Sequence, residues 1–239
     1  MAKYNKKIII IPARLAASRL PGKPLAKIGG KPMIQLVWER AIAADMAPVY
    51  VATDDQAIAN VITSAGGKAV MTRPDHPSGS DRIFEAIEII DPDKTISQIL
   101  NLQGDLPDLS TDIPHLLGNM LDRGNTDIAT LVTPTSQEDA ARPQVVKAVV
   151  SWRSETFGKA IYFSRAAIPT GTGDLWHHIG VYGWQRSALA RFVSRSPSKL
   201  ELAEKLEQLR AIEMGMSIDV GKIATAPGGV DTAEDKFKE

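Results

Sequence analysis

Cysteine is absent from this chain of 239 residues. Its absence excludes thiol catalysis, cysteine-ligated zinc and a disulfide scaffold, and is compatible with a reducing compartment. An excess of one charge is missing too. Lys and Arg number 28, as do Asp and Glu, so no bulk field draws the chain to nucleic acid or a membrane surface. Long apolar runs are also lacking. The polar, basic start Met1–Lys7 leads into Ile8–Ile11 alone, too short for a signal-peptide core or a membrane span. These absences lead to the expectation of a soluble cytoplasmic protein whose anion sites come from local arrangement. What is present is globular: 44% hydrophobic and 23% charged residues. A chain of this size buries roughly 70–75% of its unfolded surface and needs no staple.

Ile8 to Ile11 is β-branched, apolar on both faces and stopped by Pro12, which predicts a buried parallel strand. A basic, Gly/Pro-rich loop follows to Gly30. Met33, Leu36, Val37, Arg40 and Ala41 then have helical spacing, with Pro32 acceptable in a first turn. Val49–Thr53, Lys68–Met71, Ile96–Leu102 and Ile128–Val132 read as further strands. Helices are expected over Gln56–Ala65, with a stop at Gly66-Gly67, after the capping pattern Ser78–Asp81, and over Asp112–Arg123. The alternation predicts an α/β fold with a mainly parallel central sheet and helices on both faces. After Thr133 the pattern changes to strands at Val145–Ser151, Ala160–Phe163 and Ile179–Trp184. Helices are expected again at Ser187–Val193 and Leu200–Met214, before a strand at Ile218–Ile223. The expectation is one domain, 1–239, with a smaller antiparallel extension around 133–185.

Ligands of open α/β sheets sit beyond the carboxyl ends of the strands. There, Pro12-Ala13-Arg14 through Ser18-Arg19 to Lys23 combines small residues, exposed backbone N–H groups and three cations. Such a loop can cradle a triphosphate, although it is neither a Walker loop nor a G-x-G-x-x-G turn. A solvated basic loop is the plainer alternative. Gln103-Gly104-Asp105 follows the strand at 96–102, so Asp105 is placed to hold Mg²⁺ against phosphates. A second acid is then expected, and Asp231 can supply it, though Asp231-Thr232-Ala233-Glu234-Asp235 is also a good helix N-cap. His76 alone reads as a surface-loop histidine. Arg82 either serves phosphates or pairs with Asp81 or Glu85. His177 and His178 are adjacent on a strand and point to opposite faces, which makes a shared metal poor geometry. Glu207 and Gln208 lie about 100° apart round one helix and can reach the same edge.

In order along the chain these segments resemble the sugar nucleotidyltransferases, and the loop from Pro12 to Leu25 is most similar to that of the CMP-Kdo synthetases, Kdo being 3-deoxy-manno-octulosonate. Gln103-Gly104-Asp105, Val230–Asp235, Thr72–Arg82, Phe163–Pro169, His178–Tyr182 and Leu206–Arg210 extend the resemblance over nearly the whole chain. It implies a Rossmann-like nucleotide-diphospho-sugar transferase fold. Nucleotide contacts would come from Pro12, Ala13, Arg14, Ser18, Arg19, Lys23, Arg73, Ser78, Gly79 and Gln103. Gln103, Arg165, His178, Tyr182, Glu207 and Gln208 would line the sugar pocket. Asp105 and Asp231 would bind Mg²⁺ and, with Arg14 and Lys23, carry catalysis. The implied activity is transfer of CMP from CTP to Kdo for lipopolysaccharide biosynthesis by a homodimer. Amino-Kdo or sialic acid as acceptor, and a non-catalytic nucleotide-binding homologue, are the alternatives. Many family members read Gln-Gly-Asp-Glu-Pro, whereas Leu106 stands in the fourth place here, and the loop Thr170–Trp176 is shorter than in many relatives.

Overall fold

The computed structural model describes residues 6–15 and 22–228. Two compact units are present among the described residues, one formed by those up to His115 together with Pro227 and Gly228, the other by Leu116–Ala226.

The first unit is built on β1 (Lys7–Ala13), whose Ile8 to Ile11 are all fully buried. β2 (Lys27–Ile28) and β3 (Lys31–Pro32) form a two-stranded ladder leading into α1 (Met33–Ala43). β4 (Val49–Thr53), α2 (Gln56–Ser64), β5 (Lys68–Met71), α3 (Gly79–Ile90) and β6 (Gln98–Asn101) follow. The strands lie in the order β5-β4-β1-β6, and every pair is parallel. A strand flanked on both sides and covered by helices has no wet face, which is why a run of four isoleucines is tolerated at its centre. Met33, Val37 and Ala41 of α1 turn inward as their spacing predicts, joined by Ile34, whereas Leu36 is only half-buried. Asp55 starts α2 by accepting from the N–H groups of Ala57 and Ile58. Gly66, at φ +85°, ends it: Gly66 N–H bonds Thr63 O and Gly67 N–H bonds Ile62 O, a Schellman closure at the expected stop. The strands' carboxyl ends are Ala13, Thr53 and Asn101, which gathers Arg14, Asp54 and Gln103 along one edge.

The boundary between the units falls inside α4 (Asp112–Asp122), earlier than the change of pattern expected at Thr133. The second unit continues through β7 (Ile128–Thr135), α5 (Gln137–Ala140), β8 (Lys147–Trp152), β9 (Phe157–Ser164) and β10 (Leu175–Gln185). It ends with α6 (Arg186–Val193), α7 (Lys199–Glu204), α8 (Gln208–Glu213) and β11 (Ile218–Lys222). Its strand order is β10-β7-β11-β9-β8, and β8 also pairs with β10 at Lys147 and His177. Only β7 and β11 run parallel in this unit; β8, β9 and β10, which all fall within residues 133–185, pair antiparallel.

One helix was expected over Leu200–Met214, but two are found, with Lys205 between them at φ +55°. The reason lies far away in sequence. Arg165 donates from Nε to Glu204 O at 2.9 Å and from Nη2 to Lys205 O at 3.2 Å. Those are the carbonyls that Gln208 and Leu209 would need to continue the helix. Ser198 and Glu201 form a full capping box at the start of α7, a pattern written in the local sequence Ser198-Lys199-Leu200-Glu201. Lys147 is fully buried, and its Nζ donates to the carbonyls of Arg142, Val145 and Arg165. Burial pushes this ammonium down, as does Arg165, against a pull from Glu204. No helix among the described residues is long and apolar enough to cross a membrane.

Candidate active site

At the carboxyl edge of the first unit's strands lies a cavity of about 270 Å³ lined by Pro12, Ala13, Arg14, Lys23, His76, Ser78, Gly79, Arg82, Gln103 and Asp105, among others. Lys23 Nζ donates to Asp105 Oδ2 at 2.8 Å, across 82 positions of sequence. The Lys23 side chain is 13% exposed and that of Asp105 39%, so the pair sits at the wall with the carboxylate still open to the cavity. Gly104 lets the chain pass close: a Cβ there would lie 3.1 Å from Pro12 O and 3.3 Å from Ile34 Cδ1. Ser78 caps α3 by accepting from Asp81 N–H, and its hydroxyl donates to Asp81 Oδ2 at 2.6 Å, so Gly79 opens the helix beside Pro12.

Arg82 pairs with neither Asp81 nor Glu85. It is 3% exposed; Nη1 donates to Thr72 Oγ1 at 2.6 Å and lies 3.3 Å from Asp54 Oδ1. Burial pushes its pKa down, Asp54 pulls it up, and Arg14 pushes it down again. Two guanidinium groups are therefore close enough to repel beside one cavity, an arrangement that favours an anion between them. His76 is not a surface histidine. Its ring is buried and Nε2 meets Glu85 Oε2, the same oxygen that accepts from Arg73 N–H at 3.0 Å. Burial raises the Glu85 pKa, but the His76 bond, the Arg73 N–H and both neighbouring charges outweigh it and hold the carboxyl below its ordinary value. Glu85 thus latches the loop before α3. The Arg73 guanidinium itself is exposed, 3.9 Å from Asp75 and 3.8 Å from Glu85, and is not among the residues lining the cavity.

In the second unit, His178, Tyr182 and Gln208 come together. The His178 ring packs edge-on against Phe163 at 4.8 Å and tilted against Tyr182 at 5.6 Å. Its Nε2 is 3.0 Å from Thr130 Oγ1 and its Nδ1 is 3.4 Å from Gln208 Nε2. Burial, with a smaller push from His177, lowers the His178 pKa from 6.5 to about 3. Burial and the nearby Glu207 carboxylate raise that of Tyr182, so its hydroxyl stays protonated. Glu207 forms the entry to α8 rather than its interior, and Gln208 is buried in the first turn. Arg165 spends its guanidinium on the carbonyls of Pro143, Glu204 and Lys205, three bonds that use three of its five donors among the described residues.

The low His178 pKa has a measurable sign. The unfolded chain takes a proton near pH 6.5 that the folded protein refuses until about 3. Stability from this group is therefore full above pH 6.5 and declines as the pH falls toward 3. Denaturant midpoints across that window should fall less steeply in His178→Gln than in the wild type. Equal slopes would show that the ring is not held neutral.

The sequence model of the cytidylyltransferase family matches residues 8–218, covering β1, both acid- and cation-bearing walls of the first-unit cavity, and the His178 cluster. The chain belongs to the cytidylyltransferase family. The 3-deoxy-manno-octulosonate cytidylyltransferase of Azorhizobium caulinodans is 53% identical over 95% of this chain and 91% of its own. That of Parvibaculum lavamentivorans is 51% identical over 97% and 90%. Among solved structures, a CMP:2-keto-3-deoxy-manno-octonic acid synthetase complexed with CTP superposes with a TM-score of 0.88 at 41% identity, covering 96% of this chain and 94% of that one. The 4-diphosphocytidyl-2C-methyl-D-erythritol synthase of Anaerococcus prevotii, at 12% identity and a TM-score of 0.64, shares the fold.

In this cytidylyltransferase, then, Pro12, Ala13, Arg14, Lys23, Ser78, Gly79, Gln103 and Asp105 meet round one cavity. Ser18, Arg19 and Asp231 lie outside the described residues. Asp105 fits a Mg²⁺ ligand in kind: it is an oxygen donor at the cavity edge, partly open, already facing a cation in Lys23 Nζ.

Proposed function

We propose that this cytidylyltransferase transfers CMP from CTP to the anomeric hydroxyl of Kdo and releases pyrophosphate. The observation that carries the reading is the Lys23–Asp105 contact inside a cavity that also holds Arg14 and Arg82. That cavity sets fixed positive charge around a carboxylate, which suits a phosphate chain. The kinship with proteins of that name supplies the donor and the acceptor.

The chain's own contribution is positioning and charge stabilisation. Arg14 and Lys23 neutralise charge building on the leaving pyrophosphate. Arg82, pinned by Thr72 and Asp54, acts as a fixed field that needs no reorganisation during the reaction. Backbone groups of Pro12, Ala13, Ser78 and Gly79, with Gln103, hold the nucleoside end. Asp105, joined by Asp231, would hold Mg²⁺, which when bound neutralises phosphate oxygens and makes the sugar hydroxyl a better nucleophile. On the sugar side, Tyr182 offers an O–H, Gln208, backed by neutral His178, offers its amide, and Arg165 offers its guanidinium donors beyond its three carbonyl bonds to the carboxylate. The bond formed joins the anomeric oxygen to the α-phosphorus, and the bond broken frees pyrophosphate. Assembly as a homodimer through the second unit, a cytoplasmic setting and supply of CMP-Kdo to lipopolysaccharide synthesis accompany the reading, supported by the resemblance of the motifs.

A panel of acceptors tests it. With CTP and Mg²⁺, mass spectrometry should find the CMP adduct of Kdo at a kcat/KM at least tenfold above those of amino-Kdo and sialic acid, an advantage that needs only about 1.4 kcal/mol. A better amino-Kdo or sialic acid adduct would reassign the acceptor. Nucleotide binding without any adduct would favour a non-catalytic homologue.

A further inference from the structure

β10 does not pair evenly with β7. Its register with that strand shifts between Ile179 and Tyr182, a β-bulge, and the residue facing the irregularity is Thr130. Bulges often re-aim side chains beside functional sites. Here the bulge turns two carbonyls onto one hydroxyl: Thr130 Oγ1 lies 3.2 Å from Ile179 O and 2.8 Å from Val181 O. It also lies 3.0 Å from His178 Nε2. A hydroxyl has one proton, and a carbonyl oxygen can only accept. With two carbonyls crowding Oγ1, its proton is committed to them. His178 Nε2 must then be the donor and Thr130 Oγ1 its acceptor.

The consequence passes through the ring. His178 is buried and held neutral, so a proton on Nε2 leaves Nδ1 bare. A bare Nδ1 accepts, and the group facing it at 3.4 Å is the amide of Gln208, which must present Nε2–H. Gln208 Oε1 is thereby turned away from the ring, and no bond to it occurs among the described residues. Phe163 and Tyr182 pack against the imidazole and keep it from rotating out of this arrangement.

We infer that Thr130 is a positioning residue: its hydroxyl, committed to the bulge carbonyls, sets the tautomer of His178 and so turns Gln208 Oε1 outward to accept a hydroxyl of the acid sugar. The inference rests on the reading above that this cluster meets the acceptor. Thr130 does not itself touch substrate. Its effect travels through two hydrogen bonds whose direction depends on a single proton. A site that presents an acceptor fixes a sugar hydroxyl with its proton pointing inward; the same amide reversed would present N–H, force that hydroxyl to accept instead, and upset the hydrogen bonds it makes with its neighbours.

Two measurements on the full-length protein test it. Long-range ¹H–¹⁵N correlation on protein labelled at its four histidines, with His178 assigned by difference from His178→Gln, should show an Nε2–H tautomer in the wild type. Thr130→Val, which keeps the shape and removes the hydroxyl, should abolish that pure pattern and raise the KM for Kdo roughly tenfold, with the KM for CTP unchanged. Thr130→Ser should restore both. An Nδ1–H tautomer in the wild type would overturn the proposal, as would a Thr130→Val protein with an unaltered Kdo KM. If Thr130→Val fails to fold, the wild-type tautomer and the Thr130→Ser kinetics still decide. Absence of pyrophosphate from wild type with Kdo would defeat the reaction reading, while the tautomer would judge the Thr130 assignment separately.

Discussion

Replacing Asp105 by asparagine will lower kcat by about two to three orders of magnitude, the loss typical of removing one charge-stabilising group, and leave the fold intact. The substitution keeps the side chain's shape and its oxygen toward Lys23 but removes the charge. Its structural cost is small because the carboxylate is 39% exposed and bonds a single described partner, Lys23 at 2.8 Å. Exposed or half-exposed pairs of this kind contribute about 1 kcal/mol or less to stability. Functionally the same carboxylate stands where cations and phosphates converge, so its charge counts most in the reaction. The measurement is initial-rate pyrophosphate release alongside a thermal melt. An Asp105→Asn enzyme within threefold of wild type would remove this acid from the mechanism.

The largest loss of stability is expected from Arg210→Met, at about 3–5 kcal/mol, because a buried charge would be left without its partner. Arg210 is 2% exposed, its Nε and Nη2 grip Glu201 at 2.7 and 2.6 Å, and Nη1 donates to Arg195 O at 3.1 Å. Its guanidinium also covers the Phe192 ring at 4.3 Å. Glu201 is itself the return arm of the α7 capping box, so the pair ties the start of α7 to α8. Urea unfolding should show the midpoint falling accordingly, and Glu201→Leu combined with Arg210→Met should recover part of the loss. A change below about 1 kcal/mol would mean that the ion pair is solvated, as surface pairs are.

Where a structural feature follows from neighbours in sequence, the chain declared it. The four isoleucines announce β1, Gly66-Gly67 the end of α2, and the Ser78–Asp81 pattern the start of α3. The cavity was legible too, because its contributors fall just after β1 and β6, where parallel strands deliver their loops. What stayed hidden depends on partners tens of residues away. Nothing near Lys205 signals a break; Arg165 imposes it by taking the carbonyls of Glu204 and Lys205. Arg82 has two acids within reach on its own helix, yet binds Thr72 and meets Asp54. His76 looks like a loop residue until Glu85 folds over it. Thr130 reads only as a β-branched strand residue, since a bulge in the facing strand leaves no mark on it. Motif resemblance named Arg165, His178 and Gln208 without revealing that all three are engaged in hydrogen bonds to the protein's own groups.

Pyrophosphate release from purified protein supplied with CTP, Kdo and Mg²⁺, each left out in turn, bears most directly on the whole account. Sustained release should appear with all three and fall to background whenever one is withheld. Release that persists without Kdo, or none with the complete mixture, would contradict the assignment of this cavity to cytidylyl transfer.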